Sequence, residues 1–143
     1  MTATLFGLCL QEGRWQLKSA PRQVFEHHLG ALAAGDVDGI LSDYTDESIV
    51  IGPDGALKGR PAIRGFFEAV LASLFKPGTY QFTVDTLHVL DDVVYLVWHA
   101  NCASANIVFA ADTFLIRGSK IAVQTFAAKI EPTTQDSSSV VVT

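Results

Sequence analysis

Apolar residues recur at helical spacing in three segments of the first half of the chain. The first segment begins near Pro21, with Ser19 as the predicted N-cap, and ends at Gly35. Asp36 is the predicted cap of a second, shorter helix within DVDGILSDY. A third helix is predicted to begin at Pro61 and to stop at KPG. Between the last two helices, ESIVIG is predicted to be a short strand that ends at the turn PDG.

From Tyr80 onward the pattern becomes typical of strands. The β-rich runs are YQFTVDTLHVL, VVYLVWHANCA, NIVFAADTFLI and KIAVQTFAAKIE. Their links are too short for crossover helices, so neighbouring strands are expected to be antiparallel. Helices followed by such a meander predict an α+β fold, with a curled sheet wrapped over a helix layer.

The length of 143 residues corresponds to one domain. We predict an N-terminal extension over 1–18, the α+β domain over 19–131 and a loose polar tail over 132–143. The apolar stretch Leu5 to Leu10 is too short for a signal core or a membrane span, which favours a cytoplasmic protein. The net charge of −5 and the lack of a Lys/Arg cluster argue against nucleic acid or a membrane as partner.

The run VVYLVW is apolar on both faces of its predicted strand. One face would cover the helices, and the other would meet a partner subunit, which predicts a homodimer through the outer face of the sheet. The alternative is an outer face that is merely rich in apolar residues.

Asp112 interrupts the apolar run VFAADTFL, and Asp is both depleted in strands and costly to bury. It points either to water from the outer face or inward to a pocket. Ala110 and Phe114 share its strand face and are apolar, so an inward carboxyl group would be desolvated and its pKa raised. Such a group is suited to proton transfer.

Residues 22–131 resemble the nuclear transport factor 2-like superfamily, in particular the SnoaL-like proteins, which include polyketide cyclases and relatives of ketosteroid isomerase. The resemblance is carried by AGD between the first two helices, YTDESIVI, GRPAIRGFF and RGSKIAVQTFAAKIEP. It implies a cone-shaped, mostly antiparallel sheet wrapped around the N-terminal helices, with a deep apolar pocket and commonly a dimer. The fold hosts isomerases, dehydratases, cyclases, epoxide hydrolases and non-catalytic binders, so it does not fix the function.

The resemblance also assigns candidate roles. It implies that Asp112 occupies the place of the oxyanion-hole aspartic acid of ketosteroid isomerases, and His28 the place of their helix tyrosine. Their general base is an aspartate before a proline on the first strand, and here Gly52 stands at that place. Efficient ketosteroid isomerase activity is therefore not expected.

The third β-run supplies further candidates. His99 is expected to share a face with Asn101, Tyr95 and Val97, unless a bulge changes the register. In that arrangement His99 and Asp112 would form an acid–base couple on neighbouring strands; an outward His99 at a dimer surface is the alternative. The predicted pocket wall includes Gly52, Phe67, Tyr95, Val97, Asn101, Ala110, Phe114 and Phe126.

Two functions from different classes follow. The first is a cofactor-independent acid/base enzyme of the isomerase, cyclase or lyase type, which acts on a small, largely apolar molecule through Asp112, His28 and His99. The second is a ligand-binding or dimerisation module without turnover. The four histidines show no metal-ligand spacing such as H-E-x-x-H, so no metal site is predicted.

Overall fold

The computed structural model describes the backbone of residues 8–11 and 14–133 and the side chains of residues 18–133. Three helices precede most of the sheet, as the hydrophobic spacing predicts. They are α1 (Ala20–Ala34), α2 (Val37–Leu41) and α3 (Arg60–Ala72).

The bounds of α1 follow from its caps. The Ser19 hydroxyl accepts a hydrogen bond from the backbone N–H of Arg22 at 3.4 Å. Gly35 ends the helix with φ 67°, in the left-handed region that glycine adopts without a Cβ penalty. Asp36 then accepts from the Gly39 N–H at 3.0 Å and begins α2. The predicted start and end of the first helix are therefore confirmed.

Six strands form one curved, unclosed sheet: β3 (Tyr44–Gly52), β4 (Gly55–Lys58), β5 (Tyr80–Leu90), β6 (Val93–Cys102), β7 (Ala105–Arg117) and β8 (Lys120–Pro132). Their order across the sheet is β4-β3-β8-β7-β6-β5. All neighbouring pairs are antiparallel except β3 and β8, which are parallel. The four predicted β-runs are confirmed, and β4 is an added short strand that pairs back onto β3.

The N-terminal segment contains a separate two-stranded antiparallel sheet of β1 (Leu8–Gln11) and β2 (Arg14–Leu17), where the sequence predicted only an extension. At the other end, β8 reaches Pro132, the first residue of the predicted tail. The rest of that prediction, from residue 134 on, lies outside the described residues, as do residues 1–7 and 12–13.

The core lies between the helices and the inner face of the sheet. Alternate residues of β7 face it, because successive side chains of a strand point to opposite faces. Its largest fully buried side chains are Tyr44, Phe25, Phe114, Ile40, Leu41, Ile63 and Ile121. Among the described residues, no helix has the length and apolar character needed to cross a membrane.

Candidate functional site

An inner cavity of about 250 Å³ lies between the helices and the inner face of the sheet. Most of its wall is apolar, and much of that is aromatic. Four residues bring titratable or amide groups to it, and they are His28, Asp54, Asp112 and Gln124. The aromatic hydrocarbon and indole side chains in the wall are Phe66, Phe67, Phe75, Phe82, Trp98, Phe114 and Phe126.

Asp112 lies on β7 with its side chain on the inner face and only 8% of its surface exposed. Its Oδ1 accepts a hydrogen bond from Trp98 Nε1 at 2.8 Å. Its Oδ2 accepts one from Gln124 Nε2 at 2.9 Å. The strands on either side of β7 therefore each supply one donor, and together they fix the carboxyl group in the cavity wall.

The network continues from Gln124 to Tyr44, whose hydroxyl donates to Gln124 Oε1. This bond orients the amide, because the oxygen faces Tyr44 and the nitrogen faces Asp112. Burial raises the pKa of Tyr44 well above its ordinary value, and the charges of Asp112 and Asp43 raise it further. Tyr44 therefore keeps its proton and remains a donor throughout the physiological range.

Burial also raises the pKa of Asp112, because the charged form loses its hydration. The hydrogen bonds from Trp98 and Gln124 stabilise the carboxylate and lower the pKa, but desolvation is the larger effect. The result is a carboxyl group that holds its proton more strongly than an exposed aspartate does. It can therefore exchange a proton with a bound molecule nearer to neutral pH.

His28 lies on α1, 3% exposed, among three aromatic rings. The ring centroids of Tyr44, Phe67 and Phe114 are 5.9, 5.6 and 5.5 Å from that of His28. Its Nδ1 is buried and has no hydrogen-bond partner among the described residues. Burial, with a smaller contribution from the charge of His27, lowers the pKa of His28 to about 4. The imidazole is therefore neutral at physiological pH and still has an unused polar atom.

His27 points away from the cavity, as the 100° step of a helix predicts. Its Nδ1 lies 2.8 Å from Asp43 Oδ2, and its side chain is 55% exposed. Only His28 of the two histidines borders the inner cavity.

Gly52 borders a second cavity of about 280 Å³, the outer cavity, which lies along the β3–β4 hairpin. A Cβ atom at position 52 would lie 2.6 Å from Cε1 of Phe126, so the aromatic ring occupies the space that a side chain there would need. Phe126, Phe66 and Asp54 border both cavities.

The SnoaL-like domain family matches residues 25–140, which is most of the chain. The chain belongs to the SnoaL-like domain family. No curated protein matches the sequence. The assignment confirms the resemblance found in the sequence.

Solved structures share the nuclear transport factor 2-like fold at low sequence identity. A nuclear transport factor 2-like protein of unknown function from Burkholderia pseudomallei is 13% identical, with a TM-score of 0.66 over 78% of this chain and 92% of its own. A proposed ketosteroid isomerase from Kribbella flavida is 12% identical, with a TM-score of 0.64 over 77% and 78%. An LEH-like epoxide hydrolase from M. tuberculosis is 10% identical, with a TM-score of 0.61 over 77% of this chain and 83% of its own. These likenesses establish the fold.

In this SnoaL-like chain, four residues predicted for the site lie on the outer face of the sheet, away from the inner cavity. Successive side chains of β6 alternate between buried and more exposed positions, and Leu96, the cross-strand partner of Asp112, faces inward. The odd-numbered positions therefore face outward, which corrects the prediction for Tyr95, Val97, His99 and Asn101. The physical reason is the burial of Trp98, a large apolar side chain whose N–H finds an acceptor in Asp112.

His99 consequently forms no couple with Asp112. Its Nδ1 lies 2.8 Å from Asp85 Oδ2, and both side chains are about two-fifths exposed. Ala110 is on the inner face but is wholly buried in the core and does not border the inner cavity. Phe67, Phe114 and Phe126 do border it.

Sequence reasoning missed three members of the network: Tyr44, Trp98 and Gln124. A signal for Gln124 exists, because it is a polar residue in the apolar run IAVQTF, two positions before Phe126 and thus on the same face. The described residues contain no group of three or more His, Cys, Asp or Glu side chains placed to hold a metal ion.

Proposed function

We propose that this SnoaL-like protein is a cofactor-independent acid/base enzyme of the isomerase, cyclase or lyase type. Its substrate would be a small, largely apolar molecule bound in the inner cavity. The observation that carries the proposal is the Asp112 carboxyl group, oriented by Trp98 and Gln124 in a wall that is otherwise mainly apolar. A desolvated, positioned carboxyl group in a cleft is the usual form of a general acid or base.

Asp112 would transfer the proton. Each of its oxygens accepts one hydrogen bond from the protein, which leaves acceptor capacity for a bound molecule. Trp98 and Gln124 would act as positioning residues, because both hold the carboxyl group and neither can titrate near neutral pH. His28 would bind a polar group of the substrate as a neutral imidazole, since its charged form is strongly disfavoured by burial.

The size and lining of the cavity support a small, largely apolar substrate. Its volume of about 250 Å³ lies below the range of about 300–1,000 Å³ that is common for drug-sized ligands. Its aromatic wall favours an apolar body, and its few polar groups would fix the orientation of one functional group.

The second candidate function is ligand binding without turnover, and the observation at Gly52 favours it. The resemblance places a general base there in ketosteroid isomerases, and this chain has no side chain at that position. An aspartate at 52 would collide with Phe126, so the substitution Gly52→Asp would not simply restore such a base. Efficient ketosteroid isomerisation is accordingly not expected of this protein.

A panel of small β,γ-unsaturated ketones and epoxides distinguishes the two functions. The chain has two tryptophans, so a Trp15→Phe background leaves Trp98, in the cavity wall, as the fluorescence reporter. We expect at least one compound both to change Trp98 fluorescence and to be converted, as followed by NMR of the compound. Binding across the panel with every compound recovered unchanged would contradict the enzyme and support the binding module.

We also propose a homodimer through the outer face of the sheet. This face exposes apolar side chains of adjacent strands, including Val93 at 38%, Tyr95 at 40% and Phe109 at 54%. Sedimentation at micromolar concentration is expected to give about twice the chain mass of 15.4 kDa. Tyr95→Glu should shift the mass toward the monomer, whereas Ala69→Glu on the exposed side of α3 should not. A monomeric wild-type protein would contradict the dimer.

A further inference from the structure

Three side chains border both the inner and the outer cavity: the aromatic rings of Phe66 and Phe126 and the carboxyl group of Asp54. Phe66 on α3 and Phe126 on β8 both border the two cavities, and their ring centroids lie 5.4 Å apart. Beyond them, the outer cavity is lined by Val50, Leu57 and the small residues of the β3–β4 hairpin. A ligand that outgrows the inner cavity on this side therefore meets these two rings and the Asp54 side chain.

The position of the Phe126 ring depends on the lack of a side chain at Gly52. Its ring lies against Gly52, and a Cβ atom there would be 2.6 Å from Cε1 and 3.1 Å from Cε2. The ring can thus reach across to β3 only because position 52 has no side chain. Phe126 is also only partly buried, so the ring is not locked in the core.

The Phe126 ring also lies beside Asp112, the reactive group of the proposed function. Phe126 is the direct cross-strand partner of Asp112, and the two side chains lie on the same inner face. Side chains in such pairs have Cβ atoms about 5 Å apart. A molecule held against Asp112 is therefore next to the Phe126 ring as well.

We propose that Phe126 is a specificity-determining residue, whose ring closes the inner cavity against the outer cavity and so sets the upper size limit of the apolar ligand. The inference rests on the proposed function in one respect, namely that the inner cavity is the ligand site. Removing the ring would join volumes of about 250 and about 280 Å³, which roughly doubles the space for a ligand.

Binding of linear primary alcohols from pentanol to dodecanol tests the proposal, with Trp98 fluorescence in the Trp15→Phe background as the readout. Burial of one methylene strengthens binding by about fourfold. In the wild-type cavity this gain is expected to stop once the inner cavity is full. In Phe126→Leu it is expected to continue for several more methylenes, because the shorter side chain no longer reaches across to Gly52.

Phe82→Leu is the matched control, since Phe82 borders the inner cavity but not the outer one. Phe82→Leu removes the same atoms without joining the cavities. The alcohol chain length at which its affinity stops rising should therefore exceed that of the wild type by no more than one or two methylenes. Phe126→Met is measured alongside as a second variant, because its flexible side chain adapts to irregular gaps and keeps more packing contacts if Phe126→Leu fails to fold.

Equal chain-length limits in the wild type and the Phe126 variants would overturn the role of Phe126, without contradicting the inner cavity as a ligand site. A wild-type affinity that rises through the whole series without a limit would also overturn it. No binding of any alcohol by the wild type would contradict the inner cavity as a ligand site, and with it the proposed function. A longer limit confined to the Phe126 variants supports the proposal.

Discussion

Asp112→Asn is expected to lower the turnover of a converted compound by about 10²- to 10⁴-fold, the usual contribution of a general acid or base. The substitution keeps the shape of the side chain but removes the titratable proton. The Asn carbonyl can still accept from Trp98, whereas its amide N–H would oppose the N–H that Gln124 donates in the wild type. Gln124 can remove that conflict by reversing its amide, at the cost of the acceptor for the Tyr44 hydroxyl.

Asp85→Asn is the matched control for this experiment. Asp85 is also a strand residue paired with a ring nitrogen, that of His99 at 2.8 Å, but it lies outside the inner cavity. Its loss should leave turnover unchanged. Urea unfolding of both variants shows whether a lower rate reflects a smaller folded fraction. A folded Asp112→Asn protein with the wild-type rate would exclude Asp112 as the acid or base.

Between pH 7.5 and pH 4 the wild-type protein is expected to lose about 3 kcal/mol of unfolding free energy through the protonation of His28. The substitution His28→Phe is expected to abolish this loss. The folded-state pKa of His28 is about 4, against an ordinary value of 6.5. The unfolded chain therefore binds the proton more strongly, and wild-type stability falls as the pH decreases from about 6.5 to about 4. Phenylalanine cannot be protonated and can keep the edge contacts with Tyr44, Phe67 and Phe114.

The measurement is urea unfolding of both proteins at the two pH values. Relative to the wild type, the unfolding free energy of His28→Phe should be about 3 kcal/mol more favourable at pH 4 than at pH 7.5. His88→Asn, at an exposed position of β5, is the control and should show no comparable shift. A pH-independent difference between His28→Phe and the wild type would show that His28 titrates normally and is not buried as a neutral imidazole.

The helices could be predicted from the sequence because their signals are local. Ser19, Gly35 and Asp36 act on backbone groups within a few residues of themselves. The strand β4 escaped prediction because its four residues are stabilised by pairing with β3 rather than by a pattern of their own. The parallel pairing of β3 with β8 is likewise a long-range contact, which spacing along the chain does not encode.

The candidate site could be predicted only in part, because a strand pattern defines two faces without saying which one is buried. On β7 the apolar neighbours of Asp112 indicate the inner face. On β6 both faces are largely apolar, and the outward position of His99 is decided by the fit of Trp98 into the core. The bond between Tyr44 and Gln124 joins residues 80 positions apart, so it depends on the complete sheet register.

Titration of the Asp112 side chain, followed through its carboxyl carbon by NMR, tests directly whether this carboxyl group is desolvated and suited to proton transfer. The signal is assigned by its absence from Asp112→Asn, and the Trp98 indole N–H, which donates to Oδ1, gives an independent readout. We expect a titration midpoint above the ordinary value of 3.8, because burial outweighs the two hydrogen bonds. A midpoint at or below 3.8 would contradict a desolvated proton-transfer group and leave Asp112 as a structural hydrogen-bond acceptor.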